Sequence, residues 1–213
     1  MSEFRPKEHL IINEMIKLSG LKLEVQHYKA TSRNYAILVP PLEDGATMNN
    51  QIISMLFELL ISLGWNVLRF NFTKSSNRPI AHLHEANAVL DWYIGNIKTD
   101  LSLVCGYASG AALALELLMR RPEINYFIAL ALNIHAPANL FSGPCAKPGL
   151  FIHGSRDKIA PLAKVQEIVR RLQAQNSNIQ LQIYEDDHFF KQYHHLIKQN
   201  IKEYLLDLEH YAQ

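Results

Sequence analysis

Three short segments of this chain carry side chains that acyl-transfer chemistry would use. The first is LSLVCGYASGAALALELL, an apolar strand-like run, a glycine-flanked turn and a helix-forming run. A nucleophile elbow has this context: G-x-S-x-G between strand and helix, with its central residue at the tip of a strained turn. Gly106 and Gly110 occupy the glycine positions, where neighbouring backbone approaches too closely for a side chain. The central residue is Ala108, which offers no lone pair, no proton and no atom to carry an acyl group. The second segment, LFIHGSRD, runs from a strand into a loop with Asp157. The third, EDDHFF, follows the next strand and carries His188. In a working triad the histidine takes the serine proton and the aspartate orients the imidazole. The order elbow, acid, histidine therefore predicts the frame of a Ser-Asp-His site without its reactive oxygen.

Other groups fit this chemistry less well. Ser109 is the nearest hydroxyl, but one residue along a helix is a rotation of about 100°, which turns it away from His188. Serine at a helix start is also common for capping alone. Cys105 lies inside the apolar run before the turn and reads as a buried, reduced thiol. Asp157 and His188 are expected to be adjacent, and an Asp–His hydrogen bond kept for structure alone is the plainer alternative. His82 with His84, and His194 with His195, sit two apart or side by side on helices, so they point in different directions. No third ligand lies near either pair, and surface histidines are the expectation. Gly106 and Gly110 do not make G-x-G-x-x-G, so no dinucleotide site is expected. Ser75, Ser76 and Arg78 read as a polar loop. No metal and no cofactor are implied.

These residues need elements to hold them. Leu21 to Tyr28 alternates apolar and polar residues, as a half-buried strand near a sheet edge does. Tyr35–Val39, Trp65–Phe72, Leu101–Gly106, Tyr126–Ile134, Leu150–His153 and Ile179–Tyr184 read as further strands. Several are nearly continuous apolar runs, the pattern of strands buried on both faces. Helical period marks Asn50–Leu63, His84–Ile97, Ala111–Arg120, Leu162–Leu172 and Leu196–Leu208. Strands alternating with helices predict an α/β chain: a mostly parallel central sheet with helices on both faces. In such sheets the reactive site lies at the carboxyl ends of the strands.

Composition narrows the class. The chain has 213 residues, 48% of them hydrophobic and 19% charged, enough for one sizeable core, so residues 1–213 read as a single domain. The formal net charge of +1, with both signs spread along the chain, gives no reason to expect nucleic acid or an anionic membrane as partner. The two cysteines, Cys105 and Cys145, lack the paired spacing of a zinc site. The start, MSEFRPKEHL, has no apolar block of a signal peptide, and charges interrupt every apolar run before membrane-span length. A soluble, cytoplasmic protein is the expectation.

Taken together, the segments resemble a known family. PPLEDGATMNN (Pro40–Asn50), VLRFNF (Val67–Phe72), ANAVLDW (Ala86–Trp92), GYASGAALA (Gly106–Ala114), HGSRDKIAP (His153–Pro161) and DHFF (Asp187–Phe190) carry the match. They are similar to the short bacterial α/β-hydrolases without a lid domain that are related to dienelactone hydrolase. The resemblance implies an α/β-hydrolase fold, a catalytic acid at Asp157 and base at His188, and an oxyanion hole formed by the backbone N–H groups of Ser109 and Leu42. The family's elbow usually reads like GYSFGA, so Ala108 stands at the nucleophile position. Where a glycine-rich loop usually follows RFNF, this chain has TKSSNRPIAH, and the histidine common at the start of the PPLEDGATMNN loop is absent. Two readings follow. In one, the chain is a family member impaired as a serine hydrolase, which binds an acyl- or ester-like small molecule or a partner. In the other, it is an active hydrolase of ester or related acyl bonds whose serine at 108 has been replaced.

Overall fold

The computed structural model describes residues 11–18, 20–43, 45–73, 79–95, 101–133 and 147–211. Eight strands form one sheet: β1 (Ile11–Leu18), β2 (Leu21–Tyr28), β3 (Asn34–Val39), β4 (Asn66–Phe70), β5 (Leu101–Tyr107), β6 (Tyr126–Leu130), β7 (Gly149–Gly154) and β8 (Ile179–Tyr184). Their order across the sheet is β1-β2-β4-β3-β5-β6-β7-β8. β1 and β2 run antiparallel to their neighbours, and every pair from β4 to β8 is parallel. The helices are α1 (Gln51–Ser62), α2 (Pro79–Ile94), α3 (Ser109–Arg120), α4 (Leu162–Gln173) and α5 (His194–Tyr211). The α/β architecture expected from the alternation of strands and helices is the one observed.

Side chains of β5 show how the sheet divides the core. Leu101, Leu103, Cys105 and Tyr107 pack on the side of α1 and α5, whereas Val104 packs on the side of α2, α3 and α4. Strand periodicity of two sends successive residues to opposite faces, and all seven residues of β5 are buried. β5 lies at the middle of the sheet, between β3 and β6. The elbow at its carboxyl end is therefore anchored by packing on both faces.

The structure corrects several boundaries. β1 was absent from the sequence-based strands, because IINEMIKL has no strict alternation and buries only Ile16. As an outer strand with one neighbour, it has little apolar pattern to read. α2 begins at Pro79, where proline suits the first helical turn. β4 is shorter than Trp65–Phe72, and β6 ends at Leu130, where Ala131 turns to φ 46°. His82 is buried, not a surface residue, and its ring lies edge-on to Phe72 at 5.0 Å, while His84 is exposed. Ser75, Ser76, Arg78, Ile97, Ile134, Cys145 and the first ten residues lie outside the described residues. Among the described residues, no helix is long and apolar enough to cross a membrane.

Candidate active site

The elbow is built by close backbone contacts. A Cβ on Gly106 would lie 2.4 Å from the Gly110 carbonyl oxygen and 2.6 Å from the Ala111 Cα. One on Gly110 would lie 2.4 Å from the Pro40 carbonyl oxygen and 2.5 Å from that of Val39. Both glycines are therefore required by packing, and the second presses the start of α3 against the loop after β3. Between them Ala108 has φ 54° and ψ −123°, a conformation that L residues other than glycine rarely hold. It persists because the turn is tied down. The Ala108 amide donates to the Leu130 carbonyl at 3.0 Å, and the Ala108 carbonyl accepts from Ala111 at 3.1 Å and Asn133 at 3.2 Å. The strained tip predicted from G-x-x-x-G is present, with a buried methyl at its end.

Asp157 and His188 are brought together by the loops after β7 and β8. A Cβ on Gly154 would meet the carbonyl oxygens of Asp186 and Asp187 at 2.5 and 2.6 Å, so only glycine lets these loops touch. His188 Nδ1 lies 2.7 Å from Asp157 Oδ2, with both side chains buried. An ionised carboxylate only accepts, so Nδ1 carries the proton and the neutral ring keeps its lone pair on Nε2. The other carboxylate oxygen of Asp157 accepts from the amides of Ile159 and Ala160, each at 2.8 Å. Burial pushes the Asp157 carboxyl up, but the hydrogen bonds from His188 and Ala160 outweigh it and hold the group below the ordinary aspartate range. The carboxylate is thus charged and oriented.

Neighbouring groups fix this pair. Asp186 accepts from the amides of Asp187 at 2.8 Å and Gln192 at 2.9 Å, closing the loop that carries His188. Phe190, at φ 53° and fully buried, anchors the same loop in the core. Tyr107, the residue before Ala108, donates its hydroxyl to the His188 carbonyl at 3.2 Å, and the two rings lie 5.4 Å apart. This contact ties the histidine loop to the elbow. Fully buried His153 donates from Nε2 to the Ala160 carbonyl at 2.8 Å and lies 3.7 Å from Asp157 Oδ2. Tyr107 and His153 were not singled out from the sequence, although each sits beside a motif residue.

Ser109 behaves only in part as expected. Its hydroxyl bonds to Leu42 and Glu43 and not to His188. The Leu42 amide, expected to face an oxyanion, donates to Ser109 Oγ at 2.8 Å. Cys105 is fully buried, and burial pushes its thiol up. It is no candidate nucleophile.

Comparison with known proteins shows the family and the fold. The dienelactone hydrolase family profile matches residues 70–204. The uncharacterized protein RP471 of Rickettsia prowazekii is 32% identical, over 88% of this chain and 86% of its own. A solved protein of unknown function from Agrobacterium tumefaciens, described as an α/β hydrolase, is 29% identical with a TM-score of 0.82, covering 91% of this chain and 94% of its own. The Xanthomonas campestris α/β serine hydrolase without a lid has a TM-score of 0.79 at 23% identity, over 91% of this chain and 92% of its own. An esterase of Pyrococcus furiosus reaches a TM-score of 0.82 at 19% identity, over 97% of this chain and 96% of its own. The fold is the α/β-hydrolase fold.

Proposed function

The chain belongs to the dienelactone hydrolase family, and from that premise we propose that it is a hydrolase frame impaired in serine chemistry, which binds an acyl- or ester-like small molecule. The observation that carries this reading is Ala108 at the strained tip of the elbow, next in sequence to Tyr107, which bonds the His188 carbonyl of an acid–histidine pair joined at 2.7 Å. Serine hydrolysis needs His188 to take a proton from a hydroxyl at position 108 and that oxygen to form the acyl bond. A methyl can do neither. An ester held against Ala108 and His188 keeps its acyl bond, because the covalent route is closed at its first step. Loss of a triad nucleophile costs about 10⁶ in turnover, as in subtilisin. On this reading the protein is soluble and cytoplasmic.

The second reading, an active hydrolase of ester or acyl bonds once serine stands at 108, draws support from the ordered pair itself. Asp157 is held charged and His188 is clamped through Tyr107, arrangements that a purely structural contact does not need. The Ala108→Ser variant tests the second reading by a burst of p-nitrophenolate from p-nitrophenyl butyrate, and the unmodified protein tests the first on the same mixing. Saturable binding heat without a burst of p-nitrophenolate is expected. A burst matching the protein concentration would overturn the non-catalytic reading.

A further inference from the structure

The hydrogen bonds of Ser109 link three groups that are far apart in sequence. The Leu42 amide donates to Ser109 Oγ at 2.8 Å, and Ser109 Oγ donates to Glu43 Oε2 at 2.8 Å. A hydroxyl has one proton, and a carboxylate only accepts, so the direction of the chain is fixed from amide to hydroxyl to carboxylate. Gly110 seated on the Val39 and Pro40 carbonyls holds the loop close enough for these bonds to form.

Resting on the reading above, we propose that Ser109 is a specificity-determining residue that locks the site a second time: its hydroxyl occupies the Leu42 amide and brings a carboxylate to the place where an acyl oxyanion would form. An amide bound to the chain's own oxygen gives nothing to a substrate oxygen. A negative charge beside it opposes the growth of another. The ligand that fits is accordingly neutral or cationic where it meets Leu42 and Glu43, and a carboxylate there is repelled.

Amide hydrogen exchange and fluorophosphonate labelling test the lock. Leu42 exchange is compared in the unmodified protein and in Ser109→Ala. Labelling rates are compared in Ala108→Ser and in Ala108→Ser/Ser109→Ala. Removing one oxyanion-hole donor costs about 10²–10³ in rate, so freeing Leu42 is expected to speed labelling at least about tenfold. Leu42 exchange is expected to rise by a similar factor. Glu43→Gln in the Ala108→Ser background is expected to give a smaller gain. Unchanged Leu42 exchange, or labelling of both serine variants at the same rate, would overturn the lock and leave the proposed function standing. Faster Leu42 exchange in Ser109→Ala with no labelling of either serine variant would instead overturn the proposed function.

Discussion

Replacing Gly110 by alanine is an informative perturbation, because two opposing effects predict different signs. Inside an ordinary helix, glycine to alanine stabilises by about 1 kcal/mol through backbone entropy and helix propensity. Here the added methyl would lie 2.4 and 2.5 Å from the carbonyl oxygens of Pro40 and of Val39, the last residue of β3. Those atoms are backbone and cannot turn aside as a side chain would. Overpacking of a fixed core costs typically about 1–3 kcal/mol, and the absence of any movable neighbour puts this site at the upper end, about 3. The difference is a net loss of about 2 kcal/mol. With a urea slope near 2 kcal/mol per molar, the unfolding midpoint falls by about 1 M at unchanged slope. The same displacement would pull Ser109 off Leu42, so Leu42 exchange should rise in the variant. A midpoint equal to or above that of the unmodified protein would mean that α3 does not press on the loop, and the elbow geometry described above would be wrong.

Other outcomes follow from the same contacts. Asp157→Ala leaves His188 and two amides without their buried acceptor, and a loss of about 3 kcal/mol is expected by urea unfolding. His153 and His27 are both held below the ordinary histidine value of 6.5, chiefly by burial, so the unfolded chain binds their protons more readily. Stability is therefore expected to fall as pH drops through about 6.5, and His153→Leu should flatten part of that slope in thermal scans. Asp157, held low in the folded state, adds a further loss as pH falls below its ordinary value of 3.8. Cys105 should resist iodoacetamide in the native protein and react only in denaturant, as read by peptide mapping.

Much of the fold was legible because its central strands bury both faces. The half-buried Leu21–Tyr28 and the outer strand Ile179–Tyr184 also appear with the predicted bounds, and the parallel order follows from the alternation with helices. β1 was not legible, since an outer strand that buries one residue of eight has little apolar pattern. At the site, motif spacing located Ala108, Asp157 and His188, because elbow, acid loop and histidine loop each follow a recognisable strand. What spacing does not encode is where a short polar side chain turns. Ser109 looked idle from helix rotation alone, yet it reaches a loop 67 residues away in sequence. Tyr107 fell in the turn after the expected strand Leu101–Gly106, yet it closes β5 and its hydroxyl holds the histidine loop. His82, read as a surface residue because its spacing to His84 fits no ligand pair, is buried and lies edge-on to Phe72, a contact that no local pattern announces.

The central claim is that the triad frame survives around one missing oxygen. Intact mass after treatment with a fluorophosphonate, on the unmodified protein and Ala108→Ser side by side, tests it directly. One adduct per chain on the serine variant, mapped to position 108, and none on the unmodified protein is the predicted result. An adduct on the unmodified protein would contradict the account by revealing another nucleophile, and a folded Ala108→Ser variant that takes no label would contradict it by showing that the frame no longer activates a serine.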